Sequence, residues 1–298
     1  MLSYQHAFHC GNHADVLKHY VLSFVLNSLN KKEKSYTFFD THSGSSLYDL
    51  SDSRILKTSE AENGILKLLK NKSFPSEISL YLNCVKTYLE KGFYPGSPEI
   101  ERFFLRSQDF LILSELHPQE IENLRYNMSH PFVKLENSPK IQIHNRNGWE
   151  MIKALTPPST KRGAILIDPS YEEIQDYIDA EKTICEINKK WSSGIIMLWY
   201  PLLLHRKDEI QKMLSSIENS VLKLNKNTEI LNLQLLVNDE NSHKEMSLQS
   251  FLKDDNKKNP PRLYGSGMFI INAPWHLKEE SDLVVNYLTK IFYEKKSF

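Results

Sequence analysis

Ala164-Ile165-Leu166-Ile167-Asp168-Pro169-Ser170-Tyr171 is the stretch that decides the fold. Four apolar residues in a row, too few for a helix, read as a strand covered on both faces. An Asp-Pro pair then ends it, because proline has no N–H to give to a sheet ladder. The strand spans Ala164 to Asp168 and leaves a carboxylate at its carboxyl end.

Further strands of the same kind lie on either side. They are Tyr36-Thr37-Phe38-Phe39-Asp40, Phe110 to Glu115, Ile141-Gln142-Ile143-His144, Ile195 to Tyr200, Leu231 to Val237 and Met268 to Asn272. Helical patterns separate most of them, so the chain reads as βαβ units and a mostly parallel sheet. Gly265-Ser266-Gly267 and Asn272-Ala273-Pro274 bracket the last strand and look like hairpin punctuation. The sixth and seventh strands are therefore expected as an antiparallel pair at the sheet edge. Asn12, with Asp15 three residues on, marks the start of a first helix carrying Val16, Leu17, Tyr20, Val21, Phe24 and Val25 at 3-and-4 spacing and ending near Asn30-Lys31. About seventy residues separate the first two strands, more than one crossover helix needs. Ile55 to Leu69 and Pro75 to Leu89 carry helical patterns there. The expected organisation is residues 1–45 as the start of the core, 46–93 as an inserted helical subdomain and 94–298 as the remainder of the core.

Composition narrows the class. The chain has 298 residues, 40% of them hydrophobic, enough to bury a core without metal or disulfide staples. Cys10, Cys84 and Cys185 are odd in number and form no C-x-x-C pair, which fits a reducing cytoplasm and no thiolate metal site. Met1 to His6 turns polar too soon for a signal peptide, and the longest apolar run, Gly194 to Leu204, is well short of the roughly 20 residues of a membrane span. A cytoplasmic monomer without membrane contact is expected. A formal net charge of zero excludes a protein that coats nucleic acid by bulk attraction. Contact with RNA would fall to local patches such as Lys161-Arg162, Arg102 with Arg106, or Lys257-Lys258 with Arg262.

In an open parallel sheet, ligands bind beyond the carboxyl ends of the strands. Four strands end there in polar residues: Asp40-Thr41-His42-Ser43-Gly44, Glu115-Leu116-His117-Pro118, Asn145-Arg146-Asn147-Gly148 and Asp168-Pro169-Ser170-Tyr171. The last suits chemistry on an aromatic amine, whose lone pair is delocalised into its ring. A carboxylate and an adjacent carbonyl that accept from the two N–H groups would localise that lone pair toward an electrophilic carbon. Asp168 and Pro169 supply the two acceptors. Tyr171 is expected to stack an extruded base, worth about 1–3 kcal/mol. On the tetrapeptide alone, a strand-to-helix turn capped by Asp168 remains equally open. Asn272-Ala273-Pro274-Trp275 has a similar shape but follows the expected edge strand, away from the ligand crevice. His9 and His13 are four apart, yet only Asp15 stands near to complete a ligand set, so no metal is expected. No Gly-x-Ser-x-Gly elbow occurs.

The opening Met1-Leu2-Ser3-Tyr4-Gln5-His6-Ala7-Phe8-His9-Cys10-Gly11-Asn12-His13-Ala14-Asp15-Val16-Leu17-Lys18-His19 resembles the start of the large-subunit ribosomal RNA methyltransferase J family. The likeness continues through Asp40-Thr41-His42, Tyr94-Pro95-Gly96-Ser97-Pro98, Glu115-Leu116-His117-Pro118, Leu166-Ile167-Asp168-Pro169, Leu198-Trp199-Tyr200-Pro201 and Ser266-Gly267-Met268. The resemblance implies a Rossmann-like fold, S-adenosylmethionine as cofactor, and formation of N6-methyladenine in 23S rRNA that is protein-free or partly assembled. It also implies that His19, His42, Ser97, Glu115, Asn147 and Gly148 surround the cofactor, with Lys18 and Gly44 close by. Asp168 would border both cofactor and substrate as the catalytic acceptor, and Tyr4 and His6 would meet the RNA. Glu115 suits the ribose hydroxyls, and the Asn147 side-chain oxygen suits the cofactor's adenine amine. The chain departs from the family where Ser170 replaces a second proline, where the first-strand loop is reduced to Ser43-Gly44-Ser45-Ser46, and where Asn147 replaces Asp. Its Asn238–Arg262 loop is also longer than the family leads one to expect. Two rival readings are a DNA adenine methyltransferase with the same tetrapeptide, and a non-catalytic factor in uptake or use of external DNA.

Overall fold

Asn12 starts the first helix as its position predicts. Its side-chain oxygen accepts from the N–H groups of Ala14 and Asp15, both at 2.9 Å, and helix α1 runs His13–Asn30. The carboxylate of Asp15 does not reciprocate on Asn12; it bonds the N–H of Gly11 at 2.8 Å instead. The computed structural model describes residues 6–133, 138–239 and 263–293. Tyr4 and nearly all of the Asn238–Arg262 loop lie outside them.

Strands β1 (Thr37–Asp40), β2 (Leu47–Asp49), β3 (Phe93–Pro95), β4 (Phe110–Ser114), β5 (Lys140–His144), β6 (Gly163–Ile167), β7 (Ile195–Leu202), β8 (Ile230–Leu236) and β9 (Gly265–Ile271) form two sheets. The main sheet has seven strands in the order β5-β4-β1-β6-β7-β9-β8. Strands β5, β4, β1, β6 and β7 are parallel neighbours, while β9 is antiparallel to both β7 and β8. The chain leaves β1 toward β4 on one side and returns to β6 on the other, so the order reverses at β1. That reversal opens a crevice above the carboxyl ends of β1 and β6.

One expectation about the sheet is corrected. Strands β8 and β9 do pair antiparallel, but only β8 is an edge; β9 is buried along its whole length. Gly265 and Gly267 belong to β9 and punctuate nothing. A Cβ on Gly267 would lie 2.2 Å from the Tyr200 ring, so this glycine lets an aromatic lie flat on the strand. The reason for setting aside Asn272 also changes: β9 runs against the parallel strands and delivers Asn272 to the opposite end of the sheet, where it bonds the carbonyls of Ser192 and Gly194.

Between β1 and β4 the chain builds α2 (Ser53–Thr58), α3 (Glu60–Asn63), α4 (Ile65–Leu69), α5 (Ser79–Leu89) and α6 (Ser97–Phe104). Strands β2 and β3 pair antiparallel, Leu47 against Pro95, and close the base of the segment carrying α2 to α5. Its buried Ile65, Tyr81 and Val85 join the same apolar cluster as Leu17 and Val21 of α1 and Phe38 of β1. The remaining helices are α7 (Pro118–Ser129), α8 (Gly148–Leu155), α9 (Ile174–Lys190), α10 (Lys207–Leu224) and α11 (Leu277–Phe292). Phe39 turns to the other sheet face and packs with Ile165, Ile167 and residues of α8, α9 and α10. Period-2 alternation of strand side chains accounts for the two clusters. None of the described helices is long and apolar enough to cross a membrane.

The arginines expected to offer phosphate contacts are occupied. Arg102 is buried in an ion pair with Glu99 at 2.6 Å. Arg106 pairs with Asp109 and, with Arg162, donates to the Lys34 carbonyl just past α1. Lys257, Lys258 and Arg262 lie outside the described residues.

Candidate active site

Four strand exits and the first half of α1 meet around one cavity of about 200 Å³. At the end of β1, Asp40 is fully buried. Its Oδ1 accepts from the N–H of His42 at 3.0 Å and its Oδ2 from Ser97 Oγ at 2.7 Å. Burial raises its pKa to about 6 although both bonds oppose the shift. His42 lines the cavity with its ring 5.0 Å from that of Trp149, edge to face. Burial lowers its pKa to about 4, so it is neutral at physiological pH. Gly44 takes φ +58°, and a Cβ there would meet the Tyr48 hydroxyl at 2.6 Å. This is the conformational demand that makes the shortened loop keep its one glycine.

Glu115, after β4, is held by the backbone. Its Oε2 accepts from Gly44 N at 2.8 Å, and its Oε1 accepts from Leu116 N and His117 N at 2.8 and 2.7 Å. Burial raises its pKa, while the three N–H groups pull the other way. After β5, Asn147 caps α8 by accepting from Trp149 N at 2.8 Å. The same Oδ1 also accepts from Glu150 N at 3.3 Å, so the oxygen expected to meet a ligand is shared with the helix. Gly148 is required by close packing, because a Cβ would fall 2.0 Å from the Thr41 carbonyl oxygen.

Asp168 and Pro169, after β6, line the same cavity. Lys18 donates to Asp168 Oδ2 at 2.5 Å and pairs with Asp15 Oδ1 at 2.9 Å. Burial alone would lower the pKa of Lys18, but the two carboxylates raise it above the usual lysine value. His19 bonds Tyr94 through Nδ1 at 2.9 Å and leaves its buried Nε2 without a hydrogen-bond partner. Burial lowers its pKa to about 3, so it too is neutral. His6 forms part of the wall and bonds Asp15 Oδ2 at 3.0 Å.

Tyr171 is a second correction. It is 4% exposed, its ring packs on Tyr177 and Trp199, and its hydroxyl donates to the Trp199 carbonyl at 2.9 Å. The backbone at Tyr171 takes φ +53°, which turns the ring into the core and away from the cavity. An aromatic residue held in the left-handed region costs about 1–3 kcal/mol, offset here by burial of the ring. The cavity's apolar wall comes instead from Trp149 and Tyr48. Neither was singled out from sequence, although Trp149 directly follows the Asn147-Gly148 pair. His9, considered above for a metal, bonds Glu60 at 3.0 Å.

A mostly parallel sheet reversing at β1, with carboxylates and glycines at successive strand exits around one crevice, defines a Rossmann-like fold with its ligand site at the switch point. A family model described as "Ribosomal RNA large subunit methyltransferase D, RlmJ" matches residues 33–297, and the chain belongs to that family. It is 35% identical over 291 residues to the ribosomal RNA large subunit methyltransferase J of Escherichia coli, covering 97% of this chain and 93% of the relative. It is likewise 35% identical over 294 residues to the enzyme of the same name from Haemophilus influenzae, covering 97% and 94%. A crystal structure of protein LPL1258 from Legionella pneumophila superposes with a TM-score of 0.77 at 31% identity, covering 95% of this chain and 94% of that one. The two curated relatives span almost all of the chain, whereas the family model begins beyond α1.

Proposed function

We propose that this methyltransferase transfers a methyl group from S-adenosylmethionine to the exocyclic N6 of an adenine in 23S rRNA. The observation that carries the reading is the convergence of Asp168 and Pro169 with Glu115, Asn147, Gly148 and His42 on one cavity. The residues present fit the cofactor. His19 offers a buried, unpartnered ring nitrogen, and Gly44 and Gly148 line the same cavity. His19, Ser97 and Lys18 would hold polar groups at one end of it, and Glu115 its ribose hydroxyls. Ser97 donates its hydroxyl proton to Asp40, so toward a ligand it is an acceptor. S-adenosylmethionine, when bound, supplies an electrophilic methyl group.

The chain's own residues act on the amine. With Lys18 on Oδ2, Asp168 has Oδ1 to accept one N–H, and the Pro169 carbonyl accepts the other. Those two bonds favour a pyramidal nitrogen and direct its lone pair. Tyr4 and His6 belong to the substrate side in this reading, and His6 sits at the cavity wall. The substrate is free or partly assembled rRNA, the protein acts as a monomer in the cytoplasm, and residues 46–93 form a subdomain built onto the core. Incubation with labelled S-adenosylmethionine and rRNA lacking the modification tests this. Transfer to adenine N6 is expected, with a fall of about 10³-fold or more in Asp168→Ala. Equal transfer by the variant, or none by the wild type, overturns the assignment.

A further inference from the structure

Asp15 is 1% exposed and does not line the cavity, yet it touches everything on the α1 side that does. Its Oδ1 meets Lys18 Nζ at 2.9 Å, and its Oδ2 accepts from His6 Nε2 at 3.0 Å and Gly11 N at 2.8 Å. His19 Nε2 stands 4.0 Å from Oδ1. A first-turn aspartate is ordinarily explained by capping or the helix dipole. Here Asn12 already accepts from the first-turn N–H groups, while the Asp15 oxygens are taken up by Lys18, His6 and the N–H of Gly11. Burying a carboxylate is costly unless it is fully paired, and apart from the N–H of Gly11 the groups around this one, Lys18, His6 and His19, all line the cavity.

We infer that Asp15 is a positioning residue for methyl transfer, holding Lys18 against Asp168 and His6 at the cavity wall through one buried carboxylate. Lys18 stands between two carboxylates, and the Asp15 contact at 2.9 Å fixes the ammonium where it donates to Asp168 Oδ2. Asp168 thereby stays placed for the amine. The same carboxylate fixes His6, the first described residue of the N-terminal segment, so the substrate side and the acceptor share one anchor. Burial alone would raise the Asp15 pKa, but His6, Lys18 and His19 hold it well below the usual carboxylate range.

The inference rests on the proposed reaction, so its test has one arm that needs no transfer. In the kinetic arm, Asp15→Asn is expected to lower kcat about 10²-fold while the KM for S-adenosylmethionine moves about threefold or less. If Asp15 acts through Lys18 and His6, adding Asp15→Asn to a variant that already carries Lys18→Gln and His6→Ala slows transfer no further, within about twofold. Losses that multiply would overturn the proposal. In the second arm, acylation of Lys18 by acetic anhydride is followed by mass spectrometry. Reactivity is expected to rise about fivefold or more in Asp15→Asn, or in Asp15→Glu should the first variant fail to fold. Unchanged protection in the folded variant would overturn the proposal. A wild type that transfers no methyl group defeats the proposed function, and the acylation arm still decides whether Asp15 holds Lys18.

Discussion

Glu115 and Asp168 both end parallel strands of one sheet, yet they are held by opposite means. Glu115 is fixed by three N–H groups of the backbone, two of them from the residues that follow it. Asp168 is fixed by a side chain 150 residues away, and its turn is anchored by packing Tyr171 against β7. The half of the crevice around Glu115, Asn147 and Gly148 is thus held mainly by backbone groups, those of its own strand exits and of the neighbouring Thr41–Gly44 loop. The half around Asp168 is a product of tertiary docking by α1. Damage to the first should appear in affinity and stability, damage to the second in rate.

The largest expected effect that would break this contrast is at Glu115. Glu115→Ala leaves the N–H groups of Gly44, Leu116 and His117 without their acceptor, at about 1–3 kcal/mol for each that stays buried and unpaired. Calorimetry should show S-adenosylmethionine binding weakened about 10²-fold, with a lowered melting midpoint. Affinity within about threefold of wild type would mean that the backbone does not build this half. A smaller effect is expected at Asn147, whose oxygen is engaged in capping α8. Asn147→Asp keeps a capping oxygen, supplies a second one toward the cavity and places negative charge at a helix N-terminus. Each change is favourable by about 0.5–1 kcal/mol. Binding should tighten about fivefold in the same titration, and weaker binding would show that the Nδ2 donor is what this site uses.

The smallest effect concerns pH and tests what the two halves share. Burial depresses His13 and His42 to about 4 and His19 to about 3, two on α1 and one after β1. The unfolded chain protonates these groups near 6.5 while the folded chain does not. Their contribution is therefore present above pH 6.5 and is lost as pH falls toward their folded values. His13 lies beside Phe292, its Nδ1 has no hydrogen-bond partner, and it does not line the cavity. Urea titrations of His13→Phe should show the pH dependence of unfolding free energy between pH 5 and 6 reduced by about 1.4 kcal/mol per pH unit. An unaltered slope would remove His13 from the linkage.

The same contrast governs what could be read from sequence. The strands, the Asn12 cap and the polar strand exits were legible because each depends on residues close in the chain. The strand-exit members of the expected cofactor set line one cavity because strand ends in a parallel sheet converge wherever the order reverses, while Lys18 and His19 reach it through the docking of α1. Tyr171 was misread because its orientation is set by a left-handed backbone turn and by Trp199, neither of which its tetrapeptide announces. Asn147 was read by residue type, and its oxygen proved to be shared with the first turn of α8. Gly265 and Gly267 were read as a turn, because nothing local says that Tyr200 will lie on them. Asp15 passed as part of a helix start until its partners were in view.

Strand β9 carries one more consequence. It fills the slot between β7 and β8 and packs beneath α1, although the whole of the parallel sheet separates it from that helix in the chain. A chain halted before residue 265 has β7 and β8 with no strand between them, and α1 with part of its floor missing. The helix that brings Lys18 to Asp168 has its full floor only once residues 265–271 have been made. A nascent chain therefore emerges with its crevice unassembled, and the order of synthesis delays its chemistry until β9 is in place.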